Sequence, residues 1–528
     1  ENHTWGYNFA LNYKNETDFY KDAEYGRYGL STPDIYEMER REFQYGDFGV
    51  NNVLLSGLAG LALKTNKSKY RLNLLVIQNG ESKAGIFDFI GSDQGSDFNA
   101  FQHGLDYSQR TFANVFLDGN HTNLDKGWKI NWKLASTYSL LKDPDVRFTR
   151  YEVIDDDSYR IGTEVGFPER IWRNLDEISS TGAINMTKNF SFLENASKLH
   201  VGALATYKYR DYIIYNYAIN PMGDFPLTGD PDELFWEENL WPKDGQVSVG
   251  TTYETPFIPN NPNEYNANSL NIAAYISAEL ALTSSFKAIL GLRLENYTQR
   301  YTGSDQQQEH VLDNEKVLDD LGFFPSVNLL YQISDKQNLR ASYTQTIARP
   351  SFKELSYAEI YDPITGITFI GGFHPDGDDI EGVEYWDGNL INTDIQNFDL
   401  RWEWFGTGGQ MVSLSGFYKL FKNPIEIVQY TKQVGAFQPR NVGDGTALGA
   451  EFELRKSLGF ISENLQALRV NLNLTYNSSS IQMSETEYQS RVDNAREGEE
   501  IEEYRTMAGM APYLVNAGLY YTGGQEGF

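Results

Sequence analysis

The sequence contains no cysteine, which excludes disulfide frameworks, thiol catalysis and thiolate metal sites. It is also poor in positive charge: 44 Lys and Arg stand against 73 Asp and Glu, so the formal net charge is −29 over 528 residues. Because nucleic-acid binding needs a basic face that neutralises phosphates, this balance argues against a nucleic-acid partner. No stretch approaches the run of about 18 apolar residues that predicts a transmembrane helix.

Aromatic residues are abundant, whereas cysteine is absent and proline is scarce. The chain has 9 Trp, 35 Tyr and 31 Phe, together 14% of the sequence, but only 17 Pro. Such a composition is typical of strands and tight turns rather than of disorder or a coiled coil. The chain starts at Glu1 without Met or an apolar leader, so we expect a mature or shortened chain.

Apolar and polar residues alternate one by one in many segments. In 128–134 Trp, Ile and Leu occupy the even positions and Lys or Asn the odd ones, and 398–404 and 468–476 alternate in the same way. Successive side chains of a β-strand point to opposite faces, so the pattern predicts strands with one apolar face. We place sixteen strands, at 4–13, 50–63, 69–80, 108–119, 127–140, 178–190, 198–215, 268–282, 286–301, 324–333, 338–347, 395–404, 410–420, 446–457, 467–479 and 508–522.

The connections between these strands alternate in length. Short ones are predicted at 64–68, 120–126, 191–197, 283–285, 334–337, 405–409 and 458–466, and long ones at 14–49, 81–107, 141–177, 216–267, 302–323, 348–394, 421–445 and 480–507. A soluble sandwich or lectin also shows a period of two, but it has no reason to sort its loops by length. An outer-membrane barrel has short periplasmic turns, long extracellular loops and an apolar surface toward lipid. The sequence therefore predicts an all-β fold, a transmembrane antiparallel up-and-down β-barrel with long extracellular loops.

Four stretches in the second half of the chain carry a family resemblance. They are 291–298 (GLRLENYT); the block 324–331, 338–346 and 349–355 (FPSVNLLY, NLRASYTQT and RPSFKEL); 388–390 with 416–419 and 423–426; and 512–518 (PYLVNAG). In order and spacing they are similar to the barrel region of TonB-dependent outer-membrane receptors, especially the kind abundant in Bacteroidetes.

The resemblance implies a location and a function. Such receptors lie in the outer membrane of Gram-negative bacteria, contact its lipid, and import a bulky nutrient that extracellular loops capture: a glycan, a peptide, a siderophore or a similar compound. The TonB complex supplies energy through an N-terminal plug, and a surface lipoprotein caps the loops in some Bacteroidetes systems. No enzyme activity is expected. The alternatives are a non-transporting barrel, such as a passive channel, an adhesin or a structural subunit of an envelope complex, and a soluble secreted protein that binds glycans.

The resemblance also bears on domain organisation. Barrels of this family have about 22 strands around a plugged lumen. We therefore expect residues 1–528 to form one outer-membrane β-barrel domain that is incomplete at both ends and lacks the plug.

Charged residues mark the predicted lumen side of several strands. Lumen or plug contacts are predicted at Arg293, Glu295, Arg401 and Glu403, which alternate with apolar residues. Pro350 and Pro424 follow predicted strands and are expected to end them, because proline cannot donate to a sheet ladder.

Aromatic residues in the predicted loops 216–267 and 348–394 give the only indication of cargo. Planar rings beside carboxylates and amides suit sugars, peptides and amphipathic siderophores, although the same rings also serve to pack loops onto each other. Ligand contacts are predicted at Tyr217, Phe235, Trp236, Trp241, Tyr361, Phe373, Tyr385 and Trp386. Residues 230–236 predict a short capped helix suited to a lid.

An acidic cluster in the second of these loops is a candidate calcium site, with Asp376, Asp378, Asp379 and Glu381 as oxygen ligands. The spacing departs from an EF-hand, because Ile380 and Glu381 occupy its fifth and sixth positions, and a solvated acidic loop is the alternative. No cofactor is required by the sequence. No hydrolase, nucleotide-binding or zinc motif occurs, and the histidines lie apart without ligand spacing, at positions 3, 103, 121, 200, 310 and 374.

Overall fold

The computed structural model describes residues 3–521 except 33–34, 94–95, 124–126, 156–157, 163–165, 224–225, 363–366, 377–384, 431 and 434. Nearly every element is a strand. The strands are β1 (Thr4–Thr32), β2 (Ile35–Lys64), β3 (Ser68–Asp93), β4 (Ser96–Asn123), β5 (Trp128–Asp155), β6 (Ser158–Arg160), β7 (Glu169–Phe192), β8 (Asn195–Met222), β9 (Gly250–Glu254), β10 (Glu264–Ala281), β11 (Phe286–Ser304), β12 (Val311–Ser334), β13 (Gln337–Ala348), β14 (Glu359–Asp362), β15 (Ile367–Ile370), β16 (Thr393–Phe405), β17 (Met411–Lys422), β18 (Ile425–Gln429), β19 (Ala436–Asn441), β20 (Gly445–Ser457), β21 (Leu468–Gln482), β22 (Tyr504–Arg505) and β23 (Tyr513–Tyr521).

Sixteen of these strands are long, and each pairs antiparallel with the next long strand along the chain, from β1 with β2 to β21 with β23. Each overlaps one predicted strand, so the all-β, up-and-down prediction is confirmed. Strands β6, β9 and β22 extend this sheet, while β14, β15, β19 and β18 form a separate four-stranded sheet. Within the described ranges, no pairing joins β23 to β1.

The outer face of the main sheet is apolar. On β11, Leu290, Leu292 and Leu294 are exposed, whereas Arg293 and Glu295, which alternate with them, lie on the opposite, inner face and form an ion pair. The neighbouring strands repeat this arrangement, because the register places Ile276 of β10 beside Leu292. Rows of exposed leucine and isoleucine are unfavourable in water and favourable against hydrocarbon. An apolar outer face of this kind is what a lipid-facing barrel requires.

Several strands are much longer than predicted. β1 has 29 residues and β2 has 30, whereas about 9–11 residues suffice for a tilted strand to cross a bilayer. The predicted loops 14–49, 81–107 and 141–177 are therefore wrong for most of their length, because β1 to β5 and β7 continue through them; the predicted loop 302–323 likewise shrinks to the tip 305–310. Polar residues interrupt the alternation there, but ring pairs such as Tyr20 stacked on Phe48 at 4.6 Å keep the ladder together.

The two ends of the sheet differ in their connections. At one end, here the short-turn end, the strands join through a few residues, such as 65–67, 193–194 and 335–336. At the other, here the long-loop end, some connections are long or carry their own sheet, such as those between β8 and β10 and between β13 and β16, whereas β11 and β12 join there through only 305–310. We place the membrane-spanning segments beside the short turns, where the apolar outer positions concentrate.

One long connection folds inward. β13 ends at Ala348, immediately before Arg349-Pro350 as predicted, and residues 349–362 and 367–376, here the inner loop, include a segment that packs against the inner face of β10 and β11. The contact is a buried cluster of Phe352, Tyr357 and Ala358 from the loop with Tyr265, Ala267 and Tyr301 from the wall. Large aromatic rings dominate the packing energy of such a contact. The inner loop is therefore a packed part of the fold.

Helical structure is sparse. The α-helix, α1 (Glu485–Asp493), begins at Ser484, whose hydroxyl accepts a hydrogen bond from the Glu487 N–H at 3.2 Å. The predicted helix at 230–236 is present only as a 3-10 turn, Glu233–Phe235. Within the described ranges, the structure contains no helix that is both long and apolar enough to cross a membrane.

Candidate binding site at the long-loop end

A cavity of about 350 Å³ lies between the inner face of β7 and β8 and the loops of the long-loop end. Its wall is set by strand register. Ile171 pairs with Asn216 and Arg173 with Ile214, and since side chains alternate along a strand, these four point to the same face together with Glu169. The wall therefore offers a carboxyl, a guanidinium and an amide among aliphatic side chains.

The opposite side of the cavity comes from the inner loop and its neighbours. Asn263 holds the loop in place: its side-chain N–H donates to the Glu359 carbonyl at 2.8 Å, and its side-chain oxygen accepts the Glu359 N–H at 2.9 Å. This double hydrogen bond fixes the start of β14. The remaining lining is contributed by Pro256, Phe257, Asn263, Gln306, Glu359, Ile360, Tyr361, Thr368 and Gln433.

Two carboxyl groups of the cavity have strongly raised pKa values. Burial raises the pKa of Glu359 to about 7, and the negative charge of Asp305 adds to the effect. Burial also raises the pKa of Glu169 to about 7, against the opposing effects of a hydrogen bond from Asn216 and the positive charges of Arg150 and Arg173. Both carboxyls therefore exchange protons near neutral pH, and the cavity can present a donor or an acceptor at each.

His374 lies beside Glu359 at the edge of this region. Its Nε2 is 2.9 Å from the carbonyl oxygen of Tyr357 and 3.6 Å from Oε1 of Glu359. A carbonyl only accepts, so the assigned tautomer carries its proton on Nε2. Burial lowers the pKa of His374, and the neutral imidazole therefore persists at neutral pH.

The predicted lumen pair Arg293 and Glu295 lies on the inner face. Arg293 Nε donates to Glu295 Oε1 at 2.5 Å, and Glu295 Oε2 accepts a second ion pair from Arg349 Nη1 at 3.0 Å. The Arg349 guanidinium also lies 4.5 Å from the centre of the Tyr297 ring. Glu295 therefore ties the first residue of the inner loop to the wall of the sheet.

The other predicted pair, Arg401 and Glu403, belongs to a wider network. Glu403 accepts from Arg401 Nε at 2.8 Å and from Arg340 Nε at 2.8 Å, and Arg401 reaches Glu453 at 3.1 Å. These residues come from β13, β16 and β20. The network joins β13 to β16 and reaches across β17 to β20 on the inner face, and no loop residue takes part in the bonds named here.

The predicted aromatic contacts are dispersed. Tyr361 lines the cavity, and Phe373 packs edge-on against Tyr301 at 5.2 Å. The rings of Tyr217 and Phe235 both pack near the ring of Tyr253 on β9, with centroid distances of 6.1 and 6.4 Å. Trp236, Trp241 and Tyr385 are exposed, and Trp386 donates its indole N–H to the Gly372 carbonyl at 3.0 Å.

The candidate calcium ligands are only partly described. Asp376 is held by Arg440, whose Nη1 and Nη2 donate to its two carboxylate oxygens at 2.9 and 2.5 Å. Asp378, Asp379 and Glu381 lie outside the described residues. The calcium site stays a prediction.

Several residues of this region were missed in the sequence. Glu169 and Glu359 carry no local motif, because what distinguishes them is burial at a cavity built from segments nearly 200 residues apart. Asp305, Glu309 and His310 were also missed, although the last two are adjacent in sequence; their ligand atoms all lie within 4.8 Å of one another.

The chain matches known proteins in sequence and in fold. A family model described as "TonB dependent receptor-like, beta-barrel" matches residues 65–528. No curated protein matches the sequence significantly.

Among solved structures, the ferripyoverdine receptor of the outer membrane of Pseudomonas aeruginosa, bound to ferripyoverdine, is similar with a TM-score of 0.56 and 12% identity over 99% of this chain and 59% of that chain. The P. aeruginosa receptor FpvA bound to a heterologous pyoverdine has a TM-score of 0.52 and 14% identity, over 90% of this chain and 55% of that chain. The copper transporter OprC has a TM-score of 0.51 and 12% identity, over 98% of this chain and 65% of that chain. The chain thus spans less than two thirds of each of these structures.

Proposed function

This chain belongs to the TonB-dependent receptor family through its β-barrel, and on that premise we propose that it is the barrel of a transporter that imports a bulky nutrient captured at the long-loop end. The family's barrels lie in the outer membrane of Gram-negative bacteria, and this chain is such an outer-membrane protein. The family comprises receptors and transporters rather than enzymes, in agreement with the lack of catalytic motifs in the sequence.

The observation that carries the proposal is the packed inner loop with the cavity beneath it. A passive pore needs an open lumen, whereas here the described residues of the inner loop cover part of the inner face and leave a lined pocket at its side. A pocket with a few convergent polar groups and perturbed pKa values is the usual form of a small-molecule site. Solutes would be captured there before they pass the barrel.

The lining favours a cargo that combines polar and apolar parts. Arg173 and the protonatable Glu169 and Glu359 would bind hydroxyl, amide or amine groups, while Ile171, Ile214 and Ile360 would contact carbon surfaces. A glycan, a peptide and a siderophore all fit this description. Two of the similar structures are receptors bound to pyoverdine complexes and a third is a copper transporter, which makes metal chelates the first class to test.

The remaining parts of the transport system belong to the proposal as well. The long-loop end would face the exterior, about 22 strands would complete the barrel, a plug would link it to the TonB complex, and a surface lipoprotein of the Bacteroidetes kind would cap the loops. The aromatic residues Trp236, Trp241 and Tyr385 are exposed and suit contacts to cargo or to such a lipoprotein. A calcium ion at the acidic cluster would order the loop that contains Asp376.

Uptake assays test this function directly. Cells that carry the intact gene, a deletion, or the variant Ile360→Trp would receive radiolabelled oligosaccharides, oligopeptides or ferric siderophores, with and without a protonophore. We expect uptake of one class that needs the gene and the proton gradient and falls when Trp fills the cavity. The matched control is Ile395→Trp on β16, away from the cavity.

The alternative function is a barrel that does not transport. Gene-dependent entry of many unrelated small solutes that persists with the protonophore would identify a passive channel. No gene-dependent uptake of any class would favour an adhesin or a structural subunit.

A further inference from the structure

The tip of the hairpin between β11 and β12 brings three potential metal ligands together. Residues 305–310 read Asp-Gln-Gln-Gln-Glu-His, and one ligand atom from each of Asp305, Glu309 and His310 lies within 4.8 Å of the other two. Backbone geometry causes this closeness: the Asp305 N–H donates to the His310 carbonyl at 3.2 Å, and Gln308 turns the chain with a φ of 60°. The two ends of the tip are therefore held side by side.

Asp305 carries a buried oxygen that nothing in the described structure satisfies. Its side chain faces His310, with Oδ2 3.0 Å from Nδ1 and 3.2 Å from the His310 N–H. The residue is only 8% exposed, and its Oδ1 has no hydrogen-bond partner. Buried carboxylate oxygens almost always have a partner, so an unpaired one beside two further potential ligands is an oxygen that a cation could satisfy.

The imidazole of this group is held in place from one side. The His310 ring stacks on the ring of Tyr357 with a centroid distance of 6.3 Å and an interplanar angle of 25°. Tyr357 is itself buried and belongs to the cluster that fixes the inner loop. Such support reduces the ordering that metal binding must impose on the ligand.

We propose that the β11–β12 hairpin tip binds a divalent first-row transition-metal ion through Asp305, Glu309 and His310. One imidazole nitrogen and two carboxylate oxygens suit Zn²⁺, Ni²⁺ or Cu²⁺, whereas Ca²⁺ and Mg²⁺ favour oxygen ligands alone. Among these ions Cu²⁺ should bind most tightly. Three ligands from one short turn leave coordination positions open for water or for a donor atom of another molecule.

The site lies next to the candidate cavity but does not depend on transport. Gln306, within the same tip, lines the cavity. A metal ion at the tip would stand at the edge of the pocket. The assignment rests on the hairpin alone, so it holds or fails whatever the barrel carries.

Titration of the full chain in detergent tests the site. Metal-free protein would be titrated with Zn²⁺, Ni²⁺ and Cu²⁺ in competition with a coloured chelator, and with Ca²⁺ and Mg²⁺ for comparison. We expect one saturable site for the transition metals for which Ca²⁺ and Mg²⁺ do not compete; Ca²⁺ bound at the acidic cluster around Asp376 would be a separate site that Glu309→Gln and His310→Gln leave unchanged. Glu309→Gln and His310→Gln should each weaken metal binding by about 10- to 100-fold or more. Loss of a residue that only supports a ligand already costs that much, and these residues would be ligands themselves.

Matched variants separate the site from general charge effects. Asp313→Asn removes one carboxylate from the same hairpin outside the cluster, and His200→Gln removes an imidazole near the short-turn end; both should bind metal as the unaltered chain does. Glu309 and His310 are exposed, so their substitution leaves the fold intact, which heat-modifiable gel migration verifies.

Electron paramagnetic resonance of the Cu²⁺-loaded protein gives an independent readout. We expect the modulation pattern of one coordinated imidazole, absent in His310→Gln. Lack of saturable 1:1 binding, or binding that is unchanged in both His310→Gln and Glu309→Gln, would overturn the assignment.

Discussion

Glu359 makes the inner loop sensitive to pH. Its pKa is about 7 in the folded state against an ordinary value of 4.5, so between these two values the folded loop holds a proton that an opened loop releases. The loop is therefore most stable below pH 4.5 and loses stability as the pH rises to 7. We expect the equilibrium constant for opening of the loop to increase by a factor of about 10 to 300 as the pH rises from 4.5 to 7.

Hydrogen exchange measures this effect at the amide of Glu359, which donates to Asn263. Protection, corrected for intrinsic exchange, should fall from pH 5 to pH 8 in the unaltered chain and stay nearly level in Glu359→Gln. Glu354→Gln is the control, because that carboxylate sits on the same loop and accepts from the Ser351 N–H. An equal slope in Glu359→Gln would show that another group controls the loop.

Arg349 anchors the inner loop through a pair of largely buried charges. Arg349→Met removes the cation of the loop and leaves Arg293 as the remaining ion-pair partner of Glu295, so the loop should open more easily by about 1–3 kcal/mol. Exchange at the Leu355 amide, which donates to Ser351, reports the opening. Arg455→Met, at an exposed end of the other ion network, should leave this amide unchanged. Equal protection in Arg349→Met and the unaltered chain would remove the anchoring role.

At the scale of the element, two strands approach each other closely at Gly46. A Cβ there would lie 2.0 Å from the Ile86 carbonyl oxygen of β3, so the backbone must shift to admit any side chain. Gly46→Ala should destabilise the pairing of β2 with β3 by about 1–3 kcal/mol, seen as faster exchange at amides around Ile86. Gly57→Ala on the same strand is the control, since its nearest neighbour, a methyl of Leu11, is 3.9 Å away. Equal exchange in both variants would contradict the close approach.

The strands near the short turns were predictable, and their extensions were not. Period-two alternation identified all sixteen long strands. Lipid on one face and a polar interior on the other require successive residues of each strand to alternate between apolar and polar. Beyond the membrane both faces meet water, so segments such as 14–32 and 81–93 lose the pattern while keeping the ladder. Their pairing is set by neighbouring strands, which a local pattern does not reveal.

At the scale of the whole molecule, sequence motifs identified the family but not the site. The block from 324 to 355 reflects strand ends and turns, which sequence records directly. Glu169 and Glu359 line one cavity only because Asn263 holds the inner loop opposite β7, a tertiary arrangement with no local signature. The aromatic residues were chosen for their chemistry alone, and of these Tyr361 lines the cavity.

Whether the outer face meets lipid can be tested by one charge at two positions. Leu292 is 42% exposed within the apolar outer face, and Val311 is 61% exposed at the long-loop end. In water, Leu292→Arg and Val311→Arg should both be nearly neutral, because each adds a solvated cation to an exposed position. In a bilayer, Leu292→Arg should cost about 2–4 kcal/mol while Val311→Arg stays near zero. The measurement is urea unfolding of the full-length receptor in lipid vesicles. Equal, small effects of the two variants would mean that this face does not lie in hydrocarbon, and with it the placement of the membrane beside the short turns would fall.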